Sequence, residues 1–208
     1  MDQFQCQVLP ESALDEAAKV MARAFSNSPA HTYIFRNDEE YRRWALEWVF
    51  RRNLSIISSK CPSAIRGVLT DKGGVVCCFL WNPSSYVNIS MWEMAKAGLW
   101  QMPFLFSLST TLRMLSVMEE MDQFQEKYLT DEYIMLERMS VHPDYQGQGI
   151  GTRCLNSVLE GTTCKVHLTT QGNRNVQFYK RLGFQELGEK DMFQNEKEYE
   201  FHCWCMSL

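Results

Sequence analysis

A glycine-rich stretch between a predicted strand and a predicted helix constrains the fold of this chain more than any other feature. Residues 146–151 carry glycine at positions 147, 149 and 151, after an apolar run at 133–141 and before a helix-like run at 152–159. Alternate glycines remove side chains from a turn, so backbone amides can converge on one point. That point lies at a helix N-terminus, where the dipole and the unpaired amides favour an anion. The stretch therefore predicts a cradle for a pyrophosphate group.

Two other phosphate-binding turns do not fit this spacing. The dinucleotide pattern G-x-G-x-x-G requires a glycine where this chain has Thr152. It also requires an acidic residue about twenty positions further on, where the sequence has Thr169, Thr170 and Gln171. A Walker A loop requires Gly-Lys followed by Ser or Thr, which this stretch lacks. The glycine run therefore belongs to a different kind of phosphate site.

Strand-like and helix-like segments surround the cradle. The predicted strands lie at 5–9, 65–69, 75–81, 133–141, 165–170 and 199–206. The second and third of these flank the turn sequence Asp-Lys-Gly-Gly at 71–74 and therefore predict a hairpin.

Helices are predicted from caps and from apolar periodicity. One helix follows Ser12, which has with Asp15 the spacing of a capping box, and ends at 27–29. A second begins near Asn37 or Asp38. A third runs from 173 to 181, and Gly183 is its predicted C-terminal cap.

The segment 88–127 is rich in Met, Leu, Phe and Trp. Its longest low-charge part, residues 97–112, is too short and too polar for a membrane span, which needs roughly 20 apolar residues. We interpret it as one or two helices broken near Pro103. Two roles are open, namely packing in the core or forming an apolar wall or lid over a substrate pocket.

Composition excludes several classes of protein. The chain has 208 residues and a net charge of −4. This charge gives no reason to predict nucleic-acid binding, which is typical of basic domains. The eight cysteines show no C-x-x-C spacing and no His cluster accompanies them, so we expect no metal and interpret them as reduced thiols. The N-terminus has no basic start followed by an apolar stretch, and we therefore expect a cytoplasmic protein with no membrane association.

The residues around the cradle resemble a known family. Gln146, Gly149 and Gly151 match the Q/R-x-x-G-x-G/A signature of the GNAT N-acetyltransferases, and Val141 and Pro143 match its lead-in. Residues 175–184 resemble the second signature of that family, which ends in Y-x-x-x-G-F. The resemblance covers residues 133–187. Within the family the chain looks most like the puromycin N-acetyltransferase type, because of residues 175–179, the ending Trp204, Cys205 and Met206, and the long apolar segment before the motif strand.

The resemblance implies a fold and a co-substrate. The implied fold is α/β (α+β), a mixed, mostly antiparallel sheet with helices on both faces, in a single domain over residues 1–208 with an acetyl-CoA-binding core at 133–187. Acetyl-CoA would be held by the cradle, the motif strand and the helix that follows. The implied contacts are Met139, Ser140, Val141, Gln146, Gly147, Gln148, Gly149, Ile150, Gly151, Thr152, Asn175 and Tyr179. Residues 139–141 would form an open strand edge, whose N–H and C=O groups can pair with the two amides of the pantetheine arm of acetyl-CoA.

Acyl transfer from a thioester to an amine needs a proton acceptor and a proton donor. Tyr179 occupies the general-acid position of the family and would protonate the departing sulfur. Glu137 is the candidate base, and strand alternation predicts that it faces the same side as Met139 and Val141. His142 is an alternative base, and transfer of the proton through water would require neither. Cys154 offers a further hypothesis, in which a thiol takes the acetyl group first.

The sequence thus predicts an acetyl-CoA-dependent N-acetyltransferase that transfers an acetyl group directly to a small-molecule primary amine. Two alternatives stay open, an enzyme that acetylates a protein N-terminus or lysine, and a non-catalytic acyl-CoA-binding module. A narrow apolar pocket walled by Trp92, Trp100 and Phe104 would favour a small amine, whereas an open groove would favour a peptide. We expect a monomer or a homodimer.

Overall fold

A computed structural model describes residues 5–86, 89–129 and 132–208. One seven-stranded sheet runs through these residues in the order β1-β2-β3-β4-β5-β7-β6. Its strands are Gln7–Val8 (β1), Ile65–Leu69 (β2), Val75–Pro83 (β3), Tyr133–Val141 (β4), Lys165–Thr170 (β5), Gln185–Met192 (β6) and Phe201–Ser207 (β7). The helices are Leu14–Phe25 (α1), Pro29–Ile34 (α2), Glu39–Lys60 (α3), Met91–Lys96 (α4), Met102–Phe106 (α5), Leu108–Gln125 (α6), Ile150–Leu159 (α7) and Asn173–Arg181 (α8).

The sheet is mixed and mostly antiparallel, as predicted. β4 and β5 are parallel, and every other neighbouring pair is antiparallel. The parallel pair needs a crossover connection, which α7 provides. The cradle therefore lies in the crossover, between the end of β4 and the start of α7.

Two apolar cores cover the two faces of the sheet. Strand β3 is buried along nearly its whole length and shows the division, since Cys78 and Leu80 belong to one core and Cys77 and Phe79 to the other. The first core includes α1, α3 and parts of α5 and α6, and we call this side the α1 face. The second core includes α7 and α8, and we call it the α7 face. Helices on both faces were predicted, and the two cores confirm them.

Several predicted elements are confirmed with their bounds. β5 and α8 span the predicted residues, and the hairpin of β2 and β3 forms around the predicted turn. Gly183 has a positive φ of 95°, and the amides of Gly183 and Phe184 donate to the carbonyls of Lys180 and Tyr179. This is a Schellman cap, in which glycine supplies the left-handed residue.

One local prediction is wrong and two are refined, since α1 does end close to 27–29 and the helical segment is broken close to Pro103. Ser12 forms no capping box, because residues 11–13 make a 3-10 turn and α1 begins at Leu14 without a side-chain cap. Pro29 opens the short helix α2, since a proline in the first turn of a helix loses no hydrogen bond. Pro103 likewise lies in the first turn of α5, and the break before α6 falls at Ser107, which has a φ of 82°.

Sequence patterns did not indicate β6. Residues 185–192 are mostly exposed and carry no apolar alternation, because β6 is an edge strand that pairs with β7 alone. Gly188 in this strand leaves room for the Tyr128 hydroxyl, which lies 2.0 Å from the position that a Cβ would take. Within the three described ranges, every helix falls short of the length and apolar character that a membrane crossing requires.

Candidate active site

The cradle is a turn that leads directly into the start of α7. The helix begins at Ile150, inside the glycine run, two residues earlier than the sequence predicted. Gly147 and Gly149 have positive φ values of 78° and 72°, a conformation in which other residues are strained. Among the described residues, no acceptor pairs with the amides of 147–152. These amides are therefore available to an anion at the helix N-terminus.

Gly151 serves packing instead of turn geometry. A Cβ at this position would lie 3.3 Å from Met139 Cε and 3.6 Å from both Phe178 Cζ and Val141 Cγ2. The absence of a side chain lets the first turn of α7 approach β4 and α8 closely. The cradle is thereby held against the end of the strand that precedes it.

The glutamines of the cradle fix the turn. Gln146 Nε2 donates to the carbonyl of Val141 at 3.1 Å, and Gln148 Nε2 donates to the carbonyl of Asp144 at 3.2 Å. Both side chains are exposed, as is Thr152. Ile150 is buried in the core of the α7 face and anchors the helix start.

β4 and β5 part in the middle of the sheet. Their parallel pairing joins 133–135 to 165–167 and ends at Met135 and His167. Beyond this point β4 pairs with β3 on one side only, and β5 pairs with β7 on its other side. Backbone groups of β4 that face β5 after Met135 therefore form an open strand edge inside the sheet, leading to the cradle.

A β-bulge lies on the same stretch of β4. Cys78 pairs with Ser140 and Leu80 with Glu137, so three steps along β4 match two along β3. Arg138 has a φ of 55° at this bulge, a position that usually favours glycine. Its guanidinium donates to Asn53 Oδ1 at 2.6 Å, and the Ser140 hydroxyl donates to its carbonyl at 2.9 Å.

The bulge overturns one prediction about Glu137. Strand alternation placed Glu137 on the same side as Met139 and Val141, but the extra residue at the bulge reverses the alternation. Glu137 pairs with Leu80 and faces the α1 side, whereas Met139 and Val141 pack in the core of the α7 face. Its carboxylate accepts a hydrogen bond from Asn82 Nδ2 at 3.2 Å and lies 3.9 Å from the Arg138 guanidinium. Its surroundings are thus polar, with the Asn82 amide and the Arg138 guanidinium as neighbours.

Tyr179 lies on the α7 face, buried between two aromatic rings. The Phe178 and Phe184 ring centroids are 5.1 Å and 5.6 Å from that of Tyr179. Burial, with a smaller contribution from the Cys77 thiol, raises the pKa of the Tyr179 phenol above its usual range. The phenol is therefore protonated at neutral pH, the state that a proton donor requires.

Two alternative residues are less suited to the chemistry. His142 Nε2 lies 3.0 Å from the Arg23 guanidinium, and the Asp144 amide donates to its Nδ1 at 3.3 Å, so neither nitrogen is open to a substrate amine. Cys154 is buried in the α7-face core. A hydrogen bond with Cys6 lowers the pKa of the Cys154 thiol, but a hydrogen bond with Cys77 and burial outweigh it and raise that pKa to about 12. A thiol of this kind is a poor nucleophile.

The apolar segment divides between core and surface. Met102, Phe106, Val117 and Phe124 pack in the core of the α1 face. Trp92, Trp100 and Phe104 are instead 69%, 61% and 82% exposed, so these aromatic side chains do not wall a pocket. A polar cleft of about 440 Å³ lies elsewhere, between Tyr33 of α2, Glu120 of α6 and the turn after β6.

Two features of the site were not apparent in the sequence. Arg138 sits in an ordinary strand pattern, and its bulge results from pairing with β3. Asn82 lies just beyond the strand predicted at 75–81, but it is a buried residue of β3 that contacts Glu137. Asn175, predicted near the coenzyme arm, is exposed in the first turn of α8. Within the described ranges, no three His, Cys, Asp or Glu residues are arranged to hold a metal ion.

Comparison with known proteins agrees with this geometry. The family model for the acetyltransferase (GNAT) domain matches residues 117–186, which include β4, the cradle, α7, β5 and α8. Curated protein sequences give no match to the chain.

Solved acetyltransferase structures share the whole fold. A structure described as histone acetyltransferase HPA2 and related acetyltransferase from Corynebacterium glutamicum has a TM-score of 0.63 at 15% identity, covering 99% of this chain and 95% of that one. Arylalkylamine N-acetyltransferase 2 from Aedes aegypti has a TM-score of 0.60 at 10% identity, covering 99% and 98%. The polyamine N-acetyltransferase of Drosophila melanogaster, which forms N-acetylagmatine, also has a TM-score of 0.60, at 12% identity and with 99% of each chain covered.

The domain match and the shared fold indicate an N-acetyltransferase enzyme with a GNAT domain. GNAT acetyltransferases use acetyl-CoA as co-substrate, and the available cradle amides, the glycine conformations and the open edge of β4 fit such a ligand.

Proposed function

We propose that this protein transfers the acetyl group of acetyl-CoA directly to a primary amine of a small molecule. The proposal depends on one observation. β4 separates from β5 beside the N-terminus of α7, where backbone amides are available to a ligand. A pyrophosphate fits the amides and a pantetheine arm fits the strand edge. The ligand would then lead from the cradle into the middle of the sheet.

The donor half of the site uses the crossover and the strand edge. The amides of Gly147, Gly149, Ile150 and Gly151 would bind the pyrophosphate, while Gln146 and Gln148 hold the turn. Backbone groups of 139–141 would bind the pantetheine amides, and an amide of this strand would stabilise the oxyanion that forms during transfer. Thr152 and Asn175, both exposed beside this path, complete the proposed contacts.

The proposed acid and base approach from opposite faces of the sheet. Tyr179 lies on the α7 face with the cradle, and Glu137 lies on the α1 face. The gap between β4 and β5 is where groups from both faces can meet one ligand. Tyr179 would protonate the departing thiolate, and Glu137 would accept a proton from the amine, directly or through water.

We favour a small molecule over a protein as the acceptor because a helix covers the α1 face. α6 packs over this face through Val117 and Phe124. We also infer that residues 1–208 form one domain, since strands from both halves of the sequence build one sheet. Assignment to the puromycin N-acetyltransferase type stays a prediction from residues 175–179 and the ending at 204–206.

A thiol-release assay tests the proposal. Purified protein with acetyl-CoA is supplied with simple alkylamines, arylalkylamines, diamines and short peptides, and release of CoA is followed. We expect turnover with at least one small amine, and a kinetic pattern in which both substrates bind before CoA leaves. A ping-pong pattern would contradict direct transfer.

A binding measurement separates the remaining alternatives. The melting temperature of the protein is measured with and without acetyl-CoA, and a Gly149→Val variant serves as a control, because a β-branched residue is strained at its φ. Stabilisation of the wild type without turnover on any amine or peptide would favour the non-catalytic binding module. Turnover on peptides alone would favour a protein acetyltransferase.

A further inference from the structure

Helix α6 is apolar on two opposite sides. Val117 and Phe124 lie on its inner side and pack in the core of the α1 face. Leu108, Leu112 and Leu115 lie about half a turn away, on the outer side, and are 62%, 56% and 56% exposed. A helix that is apolar on both sides is usually buried on both. The outer side of α6 therefore has the composition of an interface, although one copy of the chain leaves it exposed to solvent.

The three outer leucines have the spacing of a coiled-coil seam. They follow one another after four positions and then after three. This is the alternation of a and d positions in a heptad, which forms when a helix packs against one other helix. We call Leu108, Leu112 and Leu115 the leucine seam. Its spacing indicates that the partner is a helix.

The exposed apolar surface continues beyond the leucine seam. Trp100, Phe104 and Leu105 precede α6 and are exposed, as is Met118 near the other end of the seam. With the seam, these side chains present on the order of 900 Å² of apolar surface, whereas the largest patch on a typical monomer covers roughly 300–600 Å². Each partner in a standard interface contributes roughly 800 Å². The surface is thus large enough for a stable dimer.

The charges of α6 disfavour a membrane as the partner of the seam. Arg113 is the sole basic residue of this helix. It is turned inward, because its guanidinium donates to the Ile34 carbonyl and to the Thr110 hydroxyl, both at 3.0 Å. Glu119 and Asp122 continue the outer side towards the C-terminus and are exposed. Helices that bind anionic membranes carry Lys and Arg beside their apolar side, so this acidic helix is unsuited to a lipid surface.

The same charges favour one direction of pairing with a second copy. In an antiparallel pair with Leu112 near the two-fold axis, Leu108 of one copy packs against Leu115 of the other. The two Glu119 residues then lie about 20 Å apart along the helices, because an α-helix rises about 1.5 Å per residue. A parallel pair would instead place Glu119 against Glu119, where like charges repel.

We propose that the leucine seam is a homodimer interface, in which α6 pairs antiparallel with α6 of a second copy about a two-fold axis near Leu112. Such an interface uses the same surface on both copies and closes after two. Both apolar sides of α6 are then buried, one in the core of the α1 face and the other in the dimer. The inference is independent of the proposed function, because the seam contains no residue of the proposed donor or acceptor contacts.

Sedimentation equilibrium of the full chain tests the inference. The chain has a mass of 24.3 kDa, and we expect twice this mass in concentrated solution and the single mass on dilution. Leu112→Glu should raise the dissociation constant of the dimer at least about a hundredfold, because it buries two unpaired carboxylates at the axis. Leu187→Gln, at an isolated exposed leucine of β6, is the matched control and should dimerise as the wild type does.

A pair of charge substitutions tests the direction of the helices. Leu108→Lys and Leu115→Glu should each weaken the dimer. The double variant should bind itself at least about tenfold more tightly than either single variant, because the introduced lysine meets the introduced glutamate of the other copy. In a parallel dimer like charges would meet, and the double variant would be weaker than both single variants.

The wild type alone provides a further measurement. In dilute solution the seam is free to bind a dye that fluoresces on apolar surfaces, and association of two copies displaces the dye. The fluorescence per chain should therefore fall as the protein concentration rises.

Four results would overturn the inference. They are a single mass together with constant fluorescence per chain at every concentration, a dimer that Leu112→Glu leaves intact, a double variant weaker than both single variants, and a monomeric wild type that co-sediments with vesicles of phosphatidylcholine and phosphatidylserine. The last result would assign the seam to a lipid surface.

Discussion

At the scale of single residues, Arg138 adopts a backbone conformation that is unusual for an arginine. An arginine at a φ of 55° costs about 1 kcal/mol or more relative to glycine. Three contacts hold it, namely the bond to Asn53, the Ser140 hydroxyl on its carbonyl, and the Phe50 ring 5.5 Å from its guanidinium. The strain is thus retained at the bulge that turns Glu137 towards the α1 face.

Tyr179→Phe tests the proposed proton donor. We expect kcat to fall by about 10²–10⁴-fold with little change in KM for acetyl-CoA, because only transfer of the proton is lost. In the described part of the structure the Tyr179 hydroxyl has no hydrogen-bond partner, so the melting temperature of the variant should equal that of the wild type. Tyr199→Phe, at a ring that packs under Arg36, is the control and should keep full activity. An unchanged kcat for Tyr179→Phe would rule out the acid role.

At the scale of elements, strongly patterned segments were predictable from sequence and the edge strand β6 was not. β5 is a short, mostly buried strand, α8 has a sharp apolar stripe and a glycine cap, and both were predicted from sequence with their bounds. β6 lacks such a signal, because an edge strand facing water needs no apolar alternation. α2 was missed because Pro29 can end one helix or open the next, and only the packing of Tyr33 and Ile34 decides which.

A pair of glycine substitutions measures how tightly β2 and β3 approach. A Cβ on Gly67 would lie 2.2 Å from the backbone carbonyl oxygen of Cys77, whereas one on Gly161 would meet nothing within 4 Å. Gly67→Ala should therefore lower the free energy of unfolding by about 1–3 kcal/mol or more. Gly161→Ala should change it by about 0.5 kcal/mol or less. Urea denaturation of both variants checks this, and equal effects would contradict the close approach.

The packing of α2 against α1 and α3 predicts a dependence of stability on pH. His31 lies edge-on to Phe25 and Phe50, and burial together with the charge of Arg138 lowers the pKa of His31 to about 4. The unfolded chain binds a proton at this residue near pH 6.5 but the folded chain does not, so stability falls as pH drops below about 6.5. Between pH 7 and 5, His31 should contribute a loss of about 2 kcal/mol.

His202 provides an opposite control for this effect. Although burial lowers its pKa, hydrogen bonds with Asp191 and Glu189 outweigh burial and raise it. Its contribution to stability is therefore present at low pH and lost as pH rises. Denaturation curves at pH 5 and 7 should show a smaller pH effect in His31→Gln and a larger loss at pH 5 in His202→Gln. No difference between the two variants would contradict the assignment.

At the scale of the whole molecule, the sequence located the proposed donor half of the site but not the surroundings of the proposed base. The cradle, Tyr179 and β4 lie within one continuous stretch of sequence, so a local motif indicated them. The proposed acceptor side brings Asn82 of β3 against Glu137 of β4, and no local sequence pattern links these two strands. The side on which Glu137 lies depends on a register shift between two strands far apart in the chain.

The helical segment leaves an apolar surface uncovered. The exposed residues along α5 and α6 include Phe104, Leu108, Leu112, Leu115 and Met118. We expect the native protein to enhance the fluorescence of a dye that binds apolar surfaces. Changing Leu108, Leu112 and Leu115 together to Gln should reduce this signal by more than half without lowering the melting temperature, since none of the three is buried.

Leu187→Gln serves as the control, because Leu187 is an isolated exposed residue on β6. Its dye signal should match that of the wild type. Equal fluorescence of the triple variant and the wild type would show that α5 and α6 do not form the dye-binding surface.

The bulge at Arg138 makes the arrangement of β4 depend on residue count as well as residue type. Loss of the Arg138 codon would remove the extra residue, and plain alternation would then leave Glu137 on the α1 face and Met139 on the α7 face. Every residue of the motif would persist in such a gene, and a motif search would score it almost unchanged. Its product would nevertheless lose the guanidinium that lies 3.9 Å from Glu137 and bonds to Asn53, so length through this strand is as informative about the surroundings of the proposed base as the signature itself.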